Sequence, residues 1–370
     1  MKITYISDSA IPSSSPNSVH VMKMCQAFAL LGHEVTLYGK NTTSCFSRVN
    51  DVHSFYAVDN GFNISIYPNQ AFKGSGMFYN LSFNWRILLL RSDLFYTRSI
   101  LAAFFLLLYG RQIVFEVHEP FEGKGRLLNF MFSFIKKHKR LRKMVVISDA
   151  LRKYYVNSGG MSLERIMVAH DGADPFVAAR PVINDPSIKV GYIGSLYPGK
   201  GLEILVPLAR VCSNVVFHVV GGNEEQVEKA KKEAGDVQNL VFHGFKSQQE
   251  IPGYISSFDV LIAPYSARVI VSEKKGANNL ALWMSPLKLF EYMASGKPII
   301  STALPVIKEV LQHGYNALLC DPENLEQWKE RIYQMVSDAD LRARLSKRAL
   351  EDFNSRYTWQ KRAAYILSNL

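Results

Sequence analysis

The sequence predicts an α/β protein built from two doubly wound, parallel-sheet domains. Short apolar runs rich in β-branched and aromatic residues alternate with longer helical patterns, as they do in βα repeats. The chain has 370 residues, of which 48% are hydrophobic, and this is more than one hydrophobic core usually serves. A segment containing Pro175, Pro181 and Pro186 has no helical periodicity and precedes a fresh strand pattern. We therefore expect two domains with a hinge at residues 175–187.

The strand patterns form two sets, one on each side of that segment. The first set is Lys2–Ser7, Glu34–Tyr38, Leu94–Thr97, Ile113–Val117, Met144–Ile147 and Arg165–Ala169. The second set is Val190–Ile193, Val215–Val219, Leu240–Phe242, Val260–Ala263 and Pro298–Ser301. A helix is predicted from Val19 to Leu31, with Gly32 ending it in a left-handed conformation. The expected domains are residues 1–178 and 188–357, with a C-terminal helix at 358–370 that packs back on the first domain.

Composition narrows the classes of function. The four cysteines have no CxxC spacing, so neither a zinc site nor a disulfide framework is indicated, and a reducing, cytoplasmic location fits. Met1 to Asp8 is predicted to be a strand rather than a signal peptide. Ile87 to Tyr109 is the most apolar stretch, but its uncharged run of about ten residues is too short to span a membrane. The net charge of +11 predicts a surface that attracts anions.

Part of this positive charge is concentrated around His138. The cluster consists of Lys136, Lys137, Lys139, Arg140, Arg142 and Lys143. An apolar helix precedes it, and an apolar face ending in cations suits peripheral binding to an acidic membrane, here at its cytoplasmic face. A core helix with a solvated basic end explains the pattern equally well. Because the basic residues do not alternate with aromatic residues in a stacking pattern, we expect no nucleic-acid partner.

A glycine-rich turn at residues 194–201 directly follows the strand Val190–Ile193 and opens a helix. Its glycines permit close backbone approach, the helix start offers unpaired amides, and Lys200 adds a point charge suited to a diphosphate. An ordinary βα turn with a solvated lysine explains the same residues. The turn lacks the GxxxxGK[ST] spacing, which argues against a nucleotide triphosphatase loop.

A second helix start runs from Ser285 to Glu291. Ser285 is predicted as its N-cap and Pro286 as its first helical residue, so that exposed amides and the positive end of the helix dipole attract an anion. Lys288 and Glu291 lie on one helix face, where a cation can meet phosphate while a carboxylate accepts hydrogen bonds from ribose hydroxyls. A capped helix with a local Lys–Glu pair is the alternative.

These two blocks resemble the retaining glycosyltransferases of family four, whose GT-B fold consists of two Rossmann-like domains facing a central cleft. The resemblance covers nearly the whole chain, and the order and spacing of its blocks are more specific than any one of them. The other matching segments are Asn17–Val21, Phe28–Val35, Glu116–Glu119, Asp171–Asp174 and Tyr357–Trp359.

The resemblance implies a binding site for a nucleotide-diphosphate sugar, which is a substrate rather than a cofactor. Lys200 would bind the diphosphate together with the backbone at Pro286 and Leu287, and Glu291 would bind the ribose. Lys288 would help to stabilise the charge that grows on the leaving phosphate.

Other positions on the donor side are less typical of the family. Backbone near Gly244 and Phe245 is expected to contact the nucleobase without revealing which base it is. Ser195 is counted among the donor-binding residues, although many members have arginine there. Trp283 stands where many members have a glutamate that contacts the transferred sugar, so the sugar stays unassigned.

The acceptor side is expected in the first domain. The segment Pro16-Asn17-Ser18 replaces the family's glycine pair in the first βα loop, where Asn17 and Ser18 would position the acceptor or the diphosphate. His20 belongs to the same block. His118 ends a buried strand at the ligand edge of the sheet, and the resemblance makes it a residue that faces the sugar or the acceptor. Glu119 follows it as a weaker candidate, since acidic residues after strands are frequently only solvated.

The expected activity is retaining transfer of a sugar to a hydroxyl acceptor in polysaccharide, glycolipid or glycoconjugate synthesis, with His118, Lys200 and Lys288 as catalytic residues. No metal is expected, because the sole Asp-x-Asp match, Asp338-Ala339-Asp340, lies at a helix start where capping explains it. A sugar-nucleotide epimerase and a catalytically weakened carbohydrate- or nucleotide-binding relative are the alternatives.

Overall fold

The computed structural model describes residues 1–41, 49–67, 89–121, 125–270 and 278–370. It divides into two compact units, Met1–His170 with Trp359–Leu370, and Asp171–Thr358. The boundary therefore precedes the predicted hinge. Residues 175–187 lie within the second unit, where the backbone amides of Val182 and Ile183 both donate to Ser257 Oγ, at 2.9 and 3.1 Å.

The first unit contains a seven-stranded parallel sheet in the order β3-β2-β1-β4-β5-β6-β7. Its strands are β1 Lys2–Ile11, β2 Glu34–Asn41, β3 Asn63–Tyr67, β4 Leu94–Thr97, β5 Ile113–Val117, β6 Leu141–Val146 and β7 Ile166–Val168. Its helices are α1 Pro16–Leu30, α2 Val52–Phe55, α3 Ile100–Leu108, α4 Arg126–Lys137, α5 Asp149–Asn157 and the C-terminal α13 Trp359–Ser368. Every residue of β4 and β5 is buried, as expected for central strands that are covered on both faces.

The start of α1 shows how local sequence sets this architecture. The side chain of Ser15 caps the helix by accepting from the amide of Ser18, and Pro16 occupies the first helical turn. At the other end Gly32 has a φ of +82°, the left-handed conformation predicted for it. The helix therefore starts three residues before the predicted Val19, because serine and proline together form a favourable helix start.

The second unit contains a six-stranded parallel sheet in the order β10-β9-β8-β11-β12-β13. Its strands are β8 Ile188–Ile193, β9 Val215–Val220, β10 Leu240–Gly244, β11 Val260–Ala263, β12 Ile299–Thr302 and β13 Leu318–Cys320. Its helices are α6 Leu202–Val211, α7 Glu224–Ala234, α8 Ile251–Ser257, α9 Leu287–Ala294, α10 Pro305–Lys308, α11 Leu325–Ser337 and α12 Ala339–Asp352. One continuous core joins these strands to α6, α11 and α12.

The predicted fold class is confirmed, since both sheets are parallel and carry helical connections. Two edge strands escaped prediction. β3 has the sequence Asn-Ile-Ser-Ile-Tyr and β13 has only three residues, so neither carries the long apolar run that marks the central strands. Within the described ranges, no helix combines the length and apolar character that a membrane crossing requires.

Candidate functional site

In the second unit, strand β8 ends at Ile193 and leads into the glycine-rich turn. Gly194 has a φ of +151°, and a Cβ built there would lie 2.6 Å from the Nζ atom of Lys288. A side chain at this position would thus collide with the lysine. The backbone conformation favours glycine here, and a side chain would in addition displace the end of Lys288.

Lys288 lies in the first turn of α9 and is 9% exposed. Its ammonium group faces two aromatic rings, with Nζ 3.8 Å from the centroid of Tyr192 and 5.0 Å from that of Tyr265. The Nζ atom has no hydrogen-bond partner among the residues that the structure describes. Aromatic faces offset only part of the cost of burying a cation, so an anionic ligand would stabilise Lys288 at this position.

Lys200 is a second cation close to one of the rings that surround Lys288. Its Nζ atom lies 5.7 Å from the centroid of the Tyr265 ring, the ring that Lys288 also faces. Burial lowers the pKa of Lys200. Burial is also the main reason why the pKa of Lys288 is well below its ordinary value, and repulsion from Lys200 lowers it further while Glu291 opposes the shift. A bound anion with two charges would relieve both effects. We call Lys200, Lys288, Tyr192, Tyr265 and Gly194 the lysine site.

The start of α9 differs from the prediction in one respect. Pro286 is the N-cap residue and no side chain caps the helix. The hydroxyl of Ser285 instead accepts a hydrogen bond from the backbone amide of Asp171, at 2.9 Å. The prediction of Ser285 as N-cap is therefore wrong, because Ser285 stabilises a neighbouring turn of the same unit. The amides of the first turn of α9 are left without a side-chain cap, directly beside the ammonium of Lys288.

Four further predicted donor residues lie in the same unit. Glu291 lies one turn after Lys288, and its charge acts on that lysine. The carbonyl oxygen of Ser195 accepts from the Tyr192 hydroxyl at 2.7 Å, so this residue contributes a backbone contact. Gly244 ends β10 with a φ of +67°, and Phe245 follows it with 53% of its surface exposed.

In the first unit, the structure brings His20 and His118 to one buried carboxylate that the prediction passed over. Glu116 is 1% exposed. Its Oε1 atom lies 2.8 Å from Nε2 of His20 and 2.5 Å from Nε2 of His118. The two imidazole rings meet edge to face, with centroids 5.1 Å apart.

Two more side chains complete this group, which we call the Glu116 cluster: Glu116, His20, His118, Tyr96 and Arg362. The Arg362 guanidinium lies 3.1 Å from Oε1 of Glu116, and the Tyr96 hydroxyl donates to Oε2. Burial alone would raise the pKa of Glu116, but the Arg362 charge, His20 and the hydrogen bond from His118 hold it well below its usual value. The cluster is therefore built around an ionised carboxylate.

Both ring nitrogens of His118 are engaged. Arg98, which directly follows β4, places its Nη2 atom 2.9 Å from Nδ1 of His118. A guanidinium has no acceptor atom, so Nδ1 must be the acceptor and Nε2 must carry the proton that goes to Glu116. His118 is thus held as a neutral imidazole of one tautomer. The predicted catalytic role of His118 must start from this state, in which neither nitrogen is open to a ligand.

The remaining predicted acceptor residues are placed differently from one another. Ser18 is buried, and its hydroxyl lies 2.8 Å from the Ser13 carbonyl oxygen and 2.9 Å from that of Ser15. It stabilises the turn before α1, and its contact with a ligand stays a prediction. Asn17 is exposed on the first turn of the helix, and Glu119 is partly exposed after β5.

Glu116 and its neighbour Arg98 carried sequence signals that could have identified them. Glu116 is an acidic residue inside an apolar strand pattern, and Arg98 follows a predicted strand at the sheet edge where ligands bind in doubly wound folds. Tyr96 and Arg362 gave no comparable signal. Arg362 follows Glu116 by 246 positions, and only the packing of α13 in the first unit brings the two together.

The basic cluster around His138 divides into two groups. Lys136 and Lys143 donate to the carbonyl oxygens of Gly159 and Glu164, at 2.6 and 2.5 Å. The exposed members are Lys137, Lys139, Arg140 and Arg142. Exposed apolar side chains on α3 and α4 add to this surface; they are Leu108, Leu127 and Phe130. We call these seven residues the α3–α4 surface.

Asp338 behaves as predicted. Its Oδ1 atom accepts from the amide of Leu341 at 2.8 Å, which makes it the N-cap of α12. The sole Asp-x-Asp match is thus explained by capping.

Two parallel-sheet, Rossmann-like units, the second with the lysine site beyond its strands, define an α/β protein of the GT-B type. The structure of HepE from Anabaena in complex with UDP-glucose has the same fold, with a TM-score of 0.73 and 16% identity over 100% of both chains. The family profile described as Glycosyl transferases group 1 matches residues 175–352, and the one described as Glycosyltransferase Family 4 matches residues 18–175. The chain belongs to the group 1 glycosyltransferases of family 4 type.

Two curated relatives give the scale of the sequence similarity. An uncharacterized glycosyltransferase of Methanocaldococcus jannaschii is 26% identical over 56% of this chain and 54% of its own length. TuaH of Bacillus subtilis, described as a putative teichuronic acid biosynthesis glycosyltransferase, is 24% identical over 52% of this chain and 51% of its own length. The chain thus spans about half the length of each of these relatives.

Proposed function

We propose that this protein is a retaining glycosyltransferase that transfers a sugar from a nucleotide-diphosphate sugar to a hydroxyl acceptor in polysaccharide, glycolipid or glycoconjugate synthesis. One observation carries the proposal: the buried ammonium of Lys288 has no hydrogen-bond partner in the described part of the chain and lies beside Lys200 at the uncapped start of α9. Family membership and the relative named for teichuronic acid biosynthesis support the same reaction and its setting.

The lysine site suits a leaving diphosphate. As the bond between the anomeric carbon and the phosphate oxygen breaks, negative charge grows on the phosphate and positive charge on the sugar. Lys200, Lys288 and the amides of α9 stabilise the first of these charges. The oxygen of the acceptor then bonds to the anomeric carbon on the face that the phosphate leaves. Its proton passes to the departing phosphate oxygen, so no carboxylate nucleophile is needed.

Glu291 serves the ribose in this scheme. It lies one helical turn after Lys288, so a ligand with its diphosphate at the lysine presents its ribose hydroxyls to the carboxylate. Phe245, half exposed after β10, offers a ring face to the base. The proposed reaction uses no metal and no cofactor, because two lysines and a helix start supply the positive charge that a divalent cation supplies elsewhere.

A thermal-shift panel of UDP, GDP, ADP and their glucose or mannose derivatives, with and without EDTA, tests the donor site. A ligand present at a hundredfold its dissociation constant adds about 2.7 kcal/mol of stability. We expect one nucleotide series to stabilise the protein equally with EDTA present. If no nucleotide raises the melting temperature, the proposal is wrong, and if stabilisation requires a divalent cation, its metal-independent part is wrong.

Product analysis separates transfer from the alternative reactions. Incubation with the stabilising nucleotide sugar and a panel of sugar acceptors should give a new glycoside with the anomeric configuration of the donor. An epimerase would convert the donor sugar without any acceptor. A weakened, binding-only relative would leave the nucleotide sugar intact, and an inverted product would exclude retention.

We further propose that the α3–α4 surface docks on the cytoplasmic face of an acidic membrane. The specific support is the adjacency of exposed apolar and cationic side chains. Leu127 and Phe130 are 66% and 62% exposed on the helix that precedes the cations. Such a surface suits a bilayer interface with anionic headgroups, because the apolar residues insert while the cations pair with phosphates.

Flotation with vesicles tests this docking. The protein should float with vesicles of phosphatidylcholine and phosphatidylglycerol but not with phosphatidylcholine alone. Charge reversal at Lys137, Lys139 and Arg140 should abolish flotation, whereas reversal of the exposed Lys229 and Lys232 on α7 serves as the control. Equal flotation of both variants would contradict docking through this surface.

A further inference from the structure

Arg98 carries a positive charge that the first unit does not neutralise. In the Glu116 cluster the carboxylate is balanced by Arg362, while the hydrogen bond from Arg98 keeps His118 neutral. Arg98 itself makes no ion pair with a carboxylate within the described residues; its Nη2 atom ends on a neutral imidazole. Its Nη1 atom is buried and has no hydrogen-bond partner in the described ranges.

Arg98 lies at the edge of the sheet where ligands of doubly wound folds bind. The strand order β3-β2-β1-β4-β5-β6-β7 reverses between β1 and β4, and ligands of doubly wound sheets bind beyond the carboxyl ends of the strands at such a reversal. Arg98 follows β4 directly, and its backbone amide donates to the Ile6 carbonyl oxygen of β1. His118 follows β5, the next strand. The unneutralised guanidinium therefore lies at the switch point.

The tyrosines of the neighbouring strands do not supply a competing anion. Tyr5 on β1 is buried, and its hydroxyl has no hydrogen-bond partner among the described residues. Burial raises the pKa of Tyr5, so it stays neutral, and the charge of Arg98 only opposes that shift. Tyr96 is likewise kept neutral, since burial and then Glu116 raise its pKa. Glu116, the carboxylate of this cluster, is already paired with Arg362.

We propose that Arg98 recognises an anionic group, phosphate or carboxylate, on the acceptor, and that the acceptor's arrival frees Nδ1 of His118 to accept a hydrogen bond from a second acceptor hydroxyl, not the one that reacts. A guanidinium forms stronger, bidentate hydrogen bonds with either anion than it does with a neutral ring nitrogen. Once Arg98 turns to the anion, the imidazole keeps its orientation through Glu116 and presents a lone pair. Glu116 is then a positioning residue for His118.

This inference rests on the proposed function for the identity of the ligand as an acceptor, and it deepens that function by naming the class of acceptor. Methyl phosphate and methyl glucuronide distinguish the two anion sources, and methyl glucoside is the neutral control. Each is titrated into full-length protein saturated with UDP, so that anions do not enter the lysine site. The readout is the ¹⁵N resonance of His118 Nδ1 in histidine-labelled protein, assigned with His118→Gln.

We expect at least one anionic probe to shift the Nδ1 resonance saturably, while methyl glucoside does not. Arg98→Gln should weaken that binding by about tenfold or more, because hydrogen bonds to charged groups are among the stronger ones in proteins. Arg152→Gln is the matched control, since Arg152 in the same unit already pairs with Asp149. Arg98→Lys keeps the charge but not the fork and should lose less affinity than Arg98→Gln.

Three results would overturn the inference. They are a His118 signal that no anion shifts, an equal response to methyl glucoside, and unchanged anion affinity in folded Arg98→Gln. If Arg98→Gln does not fold, the wild-type titration and Arg98→Lys decide. If UDP itself fails to bind, the proposed function is in question, and the same titration without UDP still tests Arg98.

Discussion

Replacing Lys288 by methionine should stabilise the free protein and weaken nucleotide binding. Methionine keeps the length and the apolar contacts with Tyr192 and Tyr265 but removes a buried ammonium that lacks a hydrogen-bond partner in the described structure. An unsatisfied buried polar group costs about 1–3 kcal/mol. The cation–π contact, with Nζ 3.8 Å from the Tyr192 centroid, offsets about 0.5–2 kcal/mol of that cost.

The difference between these terms gives the expected gain. We expect Lys288→Met to be more stable than wild type by about 1 kcal/mol, which raises Tm by about 2–4 °C for a unit of this size. The loss on binding should be larger. A charge-assisted hydrogen bond contributes about 1.5–3 kcal/mol, so the affinity for the stabilising nucleotide should fall by about 10- to 150-fold.

Thermal unfolding and calorimetric titration of the same samples measure both quantities. Lys232→Met, an exposed lysine on α7, is the control and should change neither by much. The reasoning would be refuted by a variant that is less stable than wild type and binds the nucleotide with unchanged affinity. That result would mean that Lys288 is an ordinary structural lysine.

Three further predictions follow from the two sites. In the protein without nucleotide, burial and the Lys200 charge lower the pKa of Lys288, and a bound diphosphate would raise that pKa. Nucleotide binding therefore takes up a proton, and the nucleotide affinity falls as the pH rises towards 10.5. Titrations in buffers of different ionisation enthalpy measure the proton uptake, and a pH-independent affinity would contradict it. Gly194→Ala should lose stability, because its φ of +151° disfavours a side chain, and nucleotide affinity, because its Cβ would displace the Lys288 Nζ atom, only 2.6 Å away. Wild-type melting and affinity would show that the turn adapts. Glu116→Gln should destabilise the first unit by about 3–5 kcal/mol, because it leaves the Arg362 charge buried and unpaired; denaturant unfolding measures this, and a loss below 1 kcal/mol would argue against a buried ion pair.

Much of the fold could be read from local patterns. Strands β4, β5 and β11 coincide with their predicted ranges, because a continuous apolar run between polar turns has few other solutions. The glycine-rich turn and the lysine on the first turn of α9 were predicted for the same reason, since glycine and helix-start signals act over a few residues. Asp338 as a cap belongs with them.

The environment of those residues depended on contacts between distant segments. Sequence placed Lys288 at a helix start but could not show that Tyr192 of β8 and Tyr265, which follows β11, cover its ammonium. Nor could it show that the Ser285 hydroxyl is taken by the amide of Asp171, since a serine before a helix carries the same signal whether it caps or not.

The sequence by itself determined the alternation of strands and helices, the family, and the two lysines that are predicted to bind a diphosphate. Tertiary structure decided the protonation and the partners of the buried groups. Arg362 neutralises Glu116 across 246 positions, and Arg98 fixes the tautomer of His118 from the end of a neighbouring strand. The physical reason is that secondary structure follows from short-range sterics and periodicity, whereas the charge of a buried side chain depends on which distant residues surround it.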